Sequence, residues 1–504
     1  MSDSQRSFRR LAAIVVLAVV AVLIAGALVW GGRAVPQQVA SSGGASAHSR
    51  SGEVNIVIFL IDTLRADRLG VYGYERRPTS PRTDALADES VVFEQAYAPS
   101  PWTLPTLVSL LTSTFPCEHN VLHNRHRLGD SFDPLAVRLK PLGYTTISLY
   151  ANPFASPRFG LGRGYDVIVD LNRAQSDGQT VAAALDGCPT APFFLYLHNT
   201  EPHNPYDYAP PHTDGFRDIP AQTRKWFDKQ NTAYRRLSRV DFANKRSLGT
   251  TDNTAEQDRV LAALRSKLDD YRELYDAAVR AADRRLGSVI DVLKSRKLWD
   301  NTLFIILADH GEEMAERGGW LHDQSVYEEL MRVPLIVRFP RGEYGGHRLR
   351  SVVSLVDVLP TIIDYLQEPE LLHGTRGRSL MPLVRGEQPD EDRNFKIPGM
   401  RMNRKKYYRP WKESRGDTNL VVRRGDWKGI WNAEIDTFEL YDLPNDPQEQ
   451  HDVSAEHTEL VSAMLRAARS WYEDCGSRAA ETEEAPQQID EQTLRSLRSL
   501  GYID

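Results

Sequence analysis

Short apolar runs recur along most of the 504-residue chain, and polar stretches with helical spacing separate them. The apolar runs lie at residues 54–61, 145–150, 193–197, 302–308 and 334–339. The helical stretches lie at residues 104–112, 134–142 and 268–294. Apolar runs of this length without polar alternation are typical of strands that are buried on both faces. The alternation predicts an α/β fold with a large central, mostly parallel sheet flanked by helices.

A smaller second sheet is predicted near the C-terminus. Residues 419–423 and 427–431 form two short strand-like runs around the turn residue Gly425. A third run at 438–443 and a helix near 456–473 follow. This order predicts a small antiparallel sheet that is closed by a helix.

The N-terminus contains a long uncharged segment, residues 11–30. A helix of 20 residues at about 1.5 Å per residue spans a bilayer core of about 30 Å. Arg6, Arg9 and Arg10 precede it, which favours a cytoplasmic N-terminus. A cleaved signal peptide is the alternative, but its apolar core usually has only about 7–15 residues. Both interpretations place the rest of the chain outside the cytoplasm, in the periplasm or the extracellular space.

Charge and cysteine content exclude some classes of protein. The formal net charge of −6 gives no reason to expect a nucleic-acid partner. The three cysteines are Cys117, Cys188 and Cys475, and no pair has the spacing of a zinc finger or a redox motif. An odd number in so long a chain favours buried or free thiols, although one pair could bridge in an oxidising compartment.

Two of the predicted strands run directly into acidic residues. Asp62 follows the first strand, and Asp309 with His310 follows the run at 302–308. Each aspartate alone is more often an ordinary capping residue, but a charge at the end of a buried strand needs a partner. Together they predict one divalent cation, Mn, Zn, Ca or Mg, and the imidazole of His310 favours Mn or Zn.

Thr103 is the candidate nucleophile. It stands at the predicted N-cap of the helix at 104–112, with Pro105 in the first turn. A simple capping role is the alternative. The free backbone N–H groups of a helix N-terminus favour a sulfate or phosphate oxygen there. A cation beside the Thr103 hydroxyl lowers its pKa and makes it nucleophilic, so Thr103 is also predicted as a metal ligand.

Three histidines are further candidates. His198 ends the strand at 193–197, and His203 follows in a proline-bounded loop. His322 follows the second strand-end aspartate by a short segment. A single histidine is usually structural, but this set suits an oxyanion clamp and a proton donor to a leaving group.

The ordered motifs resemble the sulfatase family of the alkaline-phosphatase superfamily. Residues 61–73 resemble its first metal strand and the following loop, and residues 308–313 resemble its second metal strand. Residues 439–443 resemble its C-terminal signature. The resemblance implies that Asp62, Asp309 and His310 are metal ligands and that Thr103, predicted above as a further ligand, occupies the nucleophile position. It implies that the catalytic residues are Thr103, His203, His322, His198 and Arg65, of which Arg65 supports the site.

Three positions depart from that family. The family nucleophile is a Cys or Ser that is oxidised to formylglycine, whereas Thr103 would give a ketone and Leu107 replaces the arginine of the motif. No formylglycine is therefore expected. Thr63 replaces a second Asp, and His310 replaces an Asn. These features resemble the phosphoethanolamine and phosphoglycerol transferases, although those usually carry several membrane helices.

The sequence patterns and the resemblance together predict a division of the chain. The predicted segments are a cytoplasmic N-terminus (1–10), a transmembrane signal-anchor (11–30), a flexible linker (31–52), a sulfatase-like catalytic domain (53–368), a C-terminal subdomain (369–475) and an acidic tail (476–504). Residues 205–265 are polar and are interpreted as an irregular insertion over the site, and residues 494–502 as a short docking helix.

Three functions remain open from the sequence. The favoured one is a metal-dependent phosphoester hydrolase or transferase that uses Thr103. A sulfuric ester hydrolase with unmodified Thr103 is the first alternative, and an inactive anion-binding member is the second. The predicted partner is an anionic ester in a glycan, a lipid headgroup or a small molecule, besides the membrane that the N-terminal helix would enter.

Overall fold

A computed structural model describes residues 54–500, with gaps at 172–176, 188–191, 207–214, 245–251, 318, 391–394, 403–417, 481–482 and 485–490. The predicted signal-anchor and linker lie outside the described residues, as does Cys188. Within the part of the chain that is described, no helix has the length and apolar character needed to cross a membrane.

Strands and helices are interspersed along the described part of the chain. The strands are β1 (Asn55–Ile61), β2 (Val91–Tyr97), β3 (His126–Arg127), β4 (Thr145–Tyr150), β5 (Val167–Asp170), β6 (Phe193–Asn199), β7 (Thr302–Leu307), β8 (Glu313–Met314), β9 (Trp320–Leu321), β10 (Arg332–Arg338), β11 (Arg348–Ser354), β12 (Lys396–Arg401), β13 (Asn419–Arg424), β14 (Trp427–Asn432), β15 (Thr437–Asp442) and β16 (Glu483–Glu484). The helices are α1 (Pro81–Ala87), α2 (Thr103–Thr112), α3 (Pro116–His119), α4 (Leu135–Leu139), α5 (Gly178–Asp186), α6 (Ala221–Asn244), α7 (Asp252–Arg265), α8 (Leu268–Ser295), α9 (Glu328–Met331), α10 (Val358–Leu366), α11 (Met381–Val384), α12 (Thr458–Ser477) and α13 (Glu491–Ser499).

The large sheet has eight strands in the order β11-β2-β10-β7-β1-β6-β4-β5. Strand β10 is antiparallel to both of its neighbours, and the other neighbouring strands are parallel. All seven residues of β1 are buried, which explains why its sequence is apolar without alternation. Helices flank the sheet, so the predicted fold class is confirmed.

The register of the central strands decides where a site can form. Ile61 at the end of β1 pairs with Asn199 at the end of β6, and Leu60 pairs with Leu307 at the end of β7. The three strands are parallel and end at one edge of the sheet. Residues that directly follow them therefore meet there, as is usual for binding sites in such sheets.

The second sheet is antiparallel, with the order β12-β13-β14-β15. The predicted hairpin is confirmed, since Asn419 pairs with Asn432 across β13 and β14. The closing helix α12 is also confirmed, and it packs on this sheet through Met464 and Ala468.

The prediction of an irregular insertion at 205–265 is wrong for the part that folds into α6 and α7. The sequence of α6 is mostly polar, but Phe227, Asn231 and Tyr234 are buried along one stripe of the helix. Two of these three side chains are polar or amphipathic, so a search for apolar periodicity does not detect the helix.

The expectation of free thiols is wrong for two of the three cysteines, because Cys117 and Cys475 form a disulfide. The fold brings α3 against α12, and Phe115 packs edge-on against Trp471 beside the bridge. The two cysteines are 358 residues apart in the sequence, so their spacing carries no sign of this contact.

Candidate active site

Three predicted metal ligands meet at the sheet edge. Asp62, Asp309 and His310 are fully buried, and each offers one ligand atom within 4.8 Å of the others. The Nε2 atom of His310 lies 3.5 Å from Asp309 Oδ2 and 3.9 Å from Asp62 Oδ1. Neither of these two carboxylate oxygens has a hydrogen-bond partner among the described residues. Two unpartnered buried oxygens beside an imidazole nitrogen fit a divalent cation.

The other oxygen of each aspartate is held by the protein. Asp62 Oδ2 accepts a hydrogen bond from Asn152 Nδ2 at 2.7 Å and lies 3.2 Å from His198 Nε2. Asp309 Oδ1 accepts from the backbone N–H groups of Thr63 at 3.1 Å and His310 at 2.9 Å. These partners orient each carboxylate so that its remaining oxygen faces the shared centre.

The imidazole of His310 is oriented in the same way. Its Nδ1 lies 2.8 Å from the carbonyl oxygen of Gly311, which can only accept, so Nδ1 carries the proton. Nε2 is then the atom with a lone pair for a cation. The tautomer therefore agrees with a metal-binding role.

The electrostatics of Asp62 and Asp309 also suit a cation-binding role. Burial raises the pKa of Asp62, but the hydrogen bond from His198 and the nearby histidines outweigh burial and lower this pKa to about 2. Burial and the charge of Asp62 raise the pKa of Asp309 to about 6. Two carboxylates that face each other in a buried site repel unless a cation lies between them.

Thr103 is the first residue of α2, and the N-cap position that was predicted for it belongs to Trp102. Its hydroxyl oxygen lies 3.2 Å from His310 Nε2, and the residue is fully buried. The structure therefore brings the candidate nucleophile to the same centre as the three candidate ligands.

The histidines form a row that leads away from this centre. The ring of His322 lies 4.6 Å from the ring of His310, and the ring of His203 lies 5.1 Å from that of His322. His322 Nδ1 is 2.9 Å from Glu312 Oε1, and His203 Nδ1 donates to the carbonyl of Asn204. His198 is not part of the row, since it contacts Asp62 from the far side.

Arg65 lies beside the site without facing its centre. It forms two hydrogen bonds to Asp67 at 2.9 and 2.7 Å, and Nη1 donates to Glu316 at 2.7 Å and to the backbone oxygen of Glu312 at 3.0 Å. Its guanidinium therefore fixes the segment that carries Glu312, which agrees with the supporting role that the sequence predicts.

Comparison with known proteins decides the family. Residues 54–368 match the sulfatase family model, and residues 316–469 match the model of the N-sulphoglucosamine sulphohydrolase C-terminal region. The chain belongs to the sulfatase family. Members of this family are metal-dependent. The named relatives of this chain are sulfatases and phosphonate monoester hydrolases, so the chain is a sulfatase-like ester hydrolase.

Named relatives cover most of the chain. A choline-sulfatase of Rhizobium meliloti is 25% identical over 79% of this chain and 82% of its own length. An N-acetylglucosamine-6-O-sulfatase of Bacteroides thetaiotaomicron is 22% identical over 83% of this chain and 87% of its own. The crystal structure of a phosphonate monoester hydrolase of Agrobacterium radiobacter has a TM-score of 0.62 at 19% identity and covers 84% of this chain and 96% of its own. A structure in complex with D-glucosamine-2-N,6-O-disulfate has a TM-score of 0.64 at 20% identity and covers 84% and 98%.

Sequence reasoning missed Asn152 and Glu312 in this sulfatase-family site. Asn152 follows β4 closely, so the strand-end rule that identified Asp62 would have found it. Glu312 gives no comparable signal, because its contact with His322 depends on how residues 311–322 fold back. Both residues are fully buried.

Thr63 adds a strained backbone to the site. Its φ of 57° lies in the left-handed region, which is unusual for a β-branched residue. Its hydroxyl is buried and has no hydrogen-bond partner among the described residues. Its N–H binds Asp309, and its carbonyl accepts from Tyr275 Oη at 2.6 Å. These two hydrogen bonds hold the strained backbone conformation, which presents the Thr63 N–H to Asp309.

Proposed function

We propose that this sulfatase-family chain hydrolyses or transfers a phosphate ester and uses Thr103 as the nucleophile. The observation that carries the proposal is the 3.2 Å separation of the Thr103 hydroxyl from His310 Nε2, beside two unpartnered carboxylate oxygens. An unmodified threonine at this place favours phosphoryl chemistry, because the formylglycine route needs a Cys or Ser.

In the proposed reaction, the candidate metal ligands, Thr103 and His322 have separate roles. A cation held by Asp62, Asp309 and His310 would supply positive charge that lowers the pKa of the Thr103 hydroxyl. Thr103 Oγ1 releases its proton to solvent and forms a bond to phosphorus, while the bond from phosphorus to the leaving oxygen breaks. His322 donates a proton to that oxygen through Nε2, because its Nδ1 contacts Glu312. Water, or an acceptor hydroxyl in a transferase, then releases the phosphoryl group from Thr103.

A sulfuric ester hydrolase is the second candidate, and the names of the relatives favour it. The choline-sulfatase and the N-acetylglucosamine-6-O-sulfatase are named for sulfate esters. The same residues would act on a sulfate group, with Thr103 unmodified. An inactive anion-binding chain is disfavoured, because Asp62, Asp309 and His310 retain a complete ligand set.

A substrate panel tests the nucleophile and the ester type together. The purified chain is assayed with p-nitrophenyl phosphate, bis-p-nitrophenyl phosphate and p-nitrophenyl sulfate, and its metal content is measured in parallel. Thr103→Ala is expected to lower kcat by about a thousandfold or more, whereas Thr103→Ser retains the hydroxyl and most of the rate. Turnover of the sulfate ester alone would reject the phosphoester proposal, and full activity of Thr103→Ala would reject the nucleophile.

We propose further that residues 11–30 anchor the chain in a membrane with the catalytic domain outside the cytoplasm. The arginines before the segment and the Cys117–Cys475 disulfide support this, since disulfides persist in oxidising compartments. Cell fractionation tests it. The full chain should sediment with membranes, and a chain without residues 1–52 should remain in the supernatant with an unchanged kcat. A full chain in the supernatant would contradict the anchor.

A further inference from the structure

One stripe of helix α6 is buried against α8 and against residues 320–324, which include His322. Phe227 packs edge-on against Tyr271 with ring centroids 5.2 Å apart. Asn231 Oδ1 accepts from Trp320 Nε1 at 2.8 Å, and Tyr234 Oη donates to Gln324 Oε1 at 2.9 Å. Trp320 and Gln324 lie on either side of His322 in the chain, so these contacts fix α6 against the segment that carries His322.

Arg235 lies on the same stripe of α6, one residue after Tyr234 and four after Asn231. The residue is partly buried, and its Nη2 donates to Asn204 Oδ1 at 2.7 Å. Among the described residues, no carboxylate forms an ion pair with it. Arg65 and Arg285 show the contrast, since each of these arginines near the site pairs with a carboxylate.

The ring contacts of the three histidines indicate where Arg235 lies relative to the active site. The row runs from His310 to His322 and then to His203, and Asn204 comes next in the chain. Burial lowers the pKa of His203 to about 4, and the positive charge of Arg235 contributes to this shift. Arg235 also acts electrostatically on Glu312, the partner of His322. Its guanidinium therefore lies within electrostatic range of His203 and Glu312, the two groups that neighbour His322.

We propose that Arg235 binds a second anionic group, carried by the alcohol portion of the substrate. This rests on the proposed function for the ester group itself. A guanidinium next to a neutral amide oxygen has several N–H donors left for a carboxylate or another oxyanion. Its hydrogen-bond partner Asn204 is neutral, so a substrate anion can form a direct ion pair with this partly buried guanidinium. The substrate class is thus a monoester of an acidic alcohol, such as a uronate-containing glycan or an acidic headgroup.

A matched pair of esters tests the inference by kinetics. 3-Carboxyphenyl phosphate and 3-carbamoylphenyl phosphate have nearly the same shape and differ in one negative charge. The wild type should prefer the carboxy compound in kcat/KM by about tenfold or more, the size of one charge-assisted hydrogen bond. Arg235→Gln, which retains an amide for Asn204, should abolish the preference, because kcat/KM for the carboxy compound should fall about tenfold more than kcat/KM for the carbamoyl compound, with the difference in KM.

A control variant and a second substitution complete the kinetic test. Lys229 is exposed on the same helix, so Lys229→Ala removes an equal charge and should keep the preference. Arg235→Lys should restore part of it. An equal loss for both esters in Arg235→Gln, or a wild type without any preference, would overturn the inference. If the enzyme proves to hydrolyse sulfates, the corresponding sulfate pair is used.

A binding measurement separates this inference from the proposed function. Calorimetric titration of Thr103→Ala with the two intact esters measures affinity without turnover. The carboxy compound should bind about tenfold more tightly, and the difference should vanish in Thr103→Ala combined with Arg235→Gln. If the wild type turns over neither ester but this difference is found, the proposed function fails and the role of Arg235 stands. If turnover occurs and no difference in affinity is found, the role of Arg235 fails alone.

Discussion

Asp309 has two different tasks for its two carboxylate oxygens. Oδ1 accepts from two backbone N–H groups, while Oδ2 is unpartnered beside His310 Nε2. An asparagine can keep the first task, because its amide oxygen still accepts both hydrogen bonds. It cannot perform the second, because its NH₂ group is a donor and carries no charge.

The expected result for Asp309→Asn is therefore a folded protein that has lost its metal. Bound divalent ion per chain, measured by elemental analysis after dialysis, should fall at least about tenfold. The melting temperature of the metal-free protein should stay close to that of metal-free wild type. Asp88→Asn, at an exposed position, is the control and should keep its metal. Equal metal content in the two variants would exclude Asp309 as a ligand.

His322 is predicted to matter most when the leaving group is poor. A p-nitrophenolate leaves without a proton, whereas the alkoxide of an ordinary alcohol needs one. His322→Ala should therefore lower kcat about a hundredfold for phenyl phosphate, and by less than about tenfold for p-nitrophenyl phosphate. A loss of the same size for both substrates would indicate that His322 binds the transferred group and does not act as an acid.

At the scale of elements, a buried ion cluster joins the two sheets. Lys428 on β14 is fully buried and lies 2.9 Å from Glu328 Oε1 and 2.8 Å from Glu449 Oε1. Glu328 begins α9 and also accepts from Tyr97 on β2 at 2.8 Å. The ammonium group of Lys428 contacts both carboxyl groups, so only one of them needs to be ionised to balance its charge.

The pKa values distinguish Glu328, which favours its ionised form, from Glu449, which favours its protonated form. Burial raises the pKa of Glu328, but Lys428 and nearby arginines outweigh it and lower this pKa to about 2. Burial raises the pKa of Glu449 to about 7, against the charge of Lys428. The contribution of Glu328 to stability is thus present above its unfolded pKa and is lost as the pH falls toward 2. Glu449 favours its protonated form, so its contribution to the free energy of unfolding falls as the pH rises from about 4.5 to about 7.

Urea denaturation of two variants checks this division. At about pH 6, Glu328→Gln should lower the free energy of unfolding by about 3 kcal/mol, because it leaves Lys428 short of a charged partner. Glu449→Gln resembles the protonated form and should change it by less than about 1 kcal/mol. Glu449→Gln should also flatten the pH dependence between about 4.5 and 7. The opposite order of the two losses would contradict the division.

The sequence predicts the elements whose burial is uniform. The bounds of β1 and β7 lie within about one residue of the predicted runs, because all their residues are buried. Asp62, Asp309 and His310 were predictable because they directly follow those strands. The reversed direction of β10 was not predictable, since its apolar run resembles those of the parallel strands. The pairing of Arg235 with Asn204 depends on a helix whose buried stripe is partly polar.

At the scale of the whole molecule, the Cys117–Cys475 disulfide closes a loop of most of the described chain. Such a bridge restricts the unfolded state, and long loops gain the most. Cys475→Ser should lower the free energy of unfolding by about 3 kcal/mol and the melting temperature by several degrees. Wild type in dithiothreitol is the matched comparison and should show the same loss. An unchanged melting temperature under reducing conditions would show that the bridge adds no stability.

The same bridge sets an order of events in the cell. Cys117 leaves the ribosome soon after the helix that presents Thr103, whereas Cys475 follows 358 residues later. The covalent closure therefore waits until α12, which carries Cys475, has been synthesised. A chain that ends before α12 cannot form this crosslink, so the bridge distinguishes chains that extend through α12 from shorter ones.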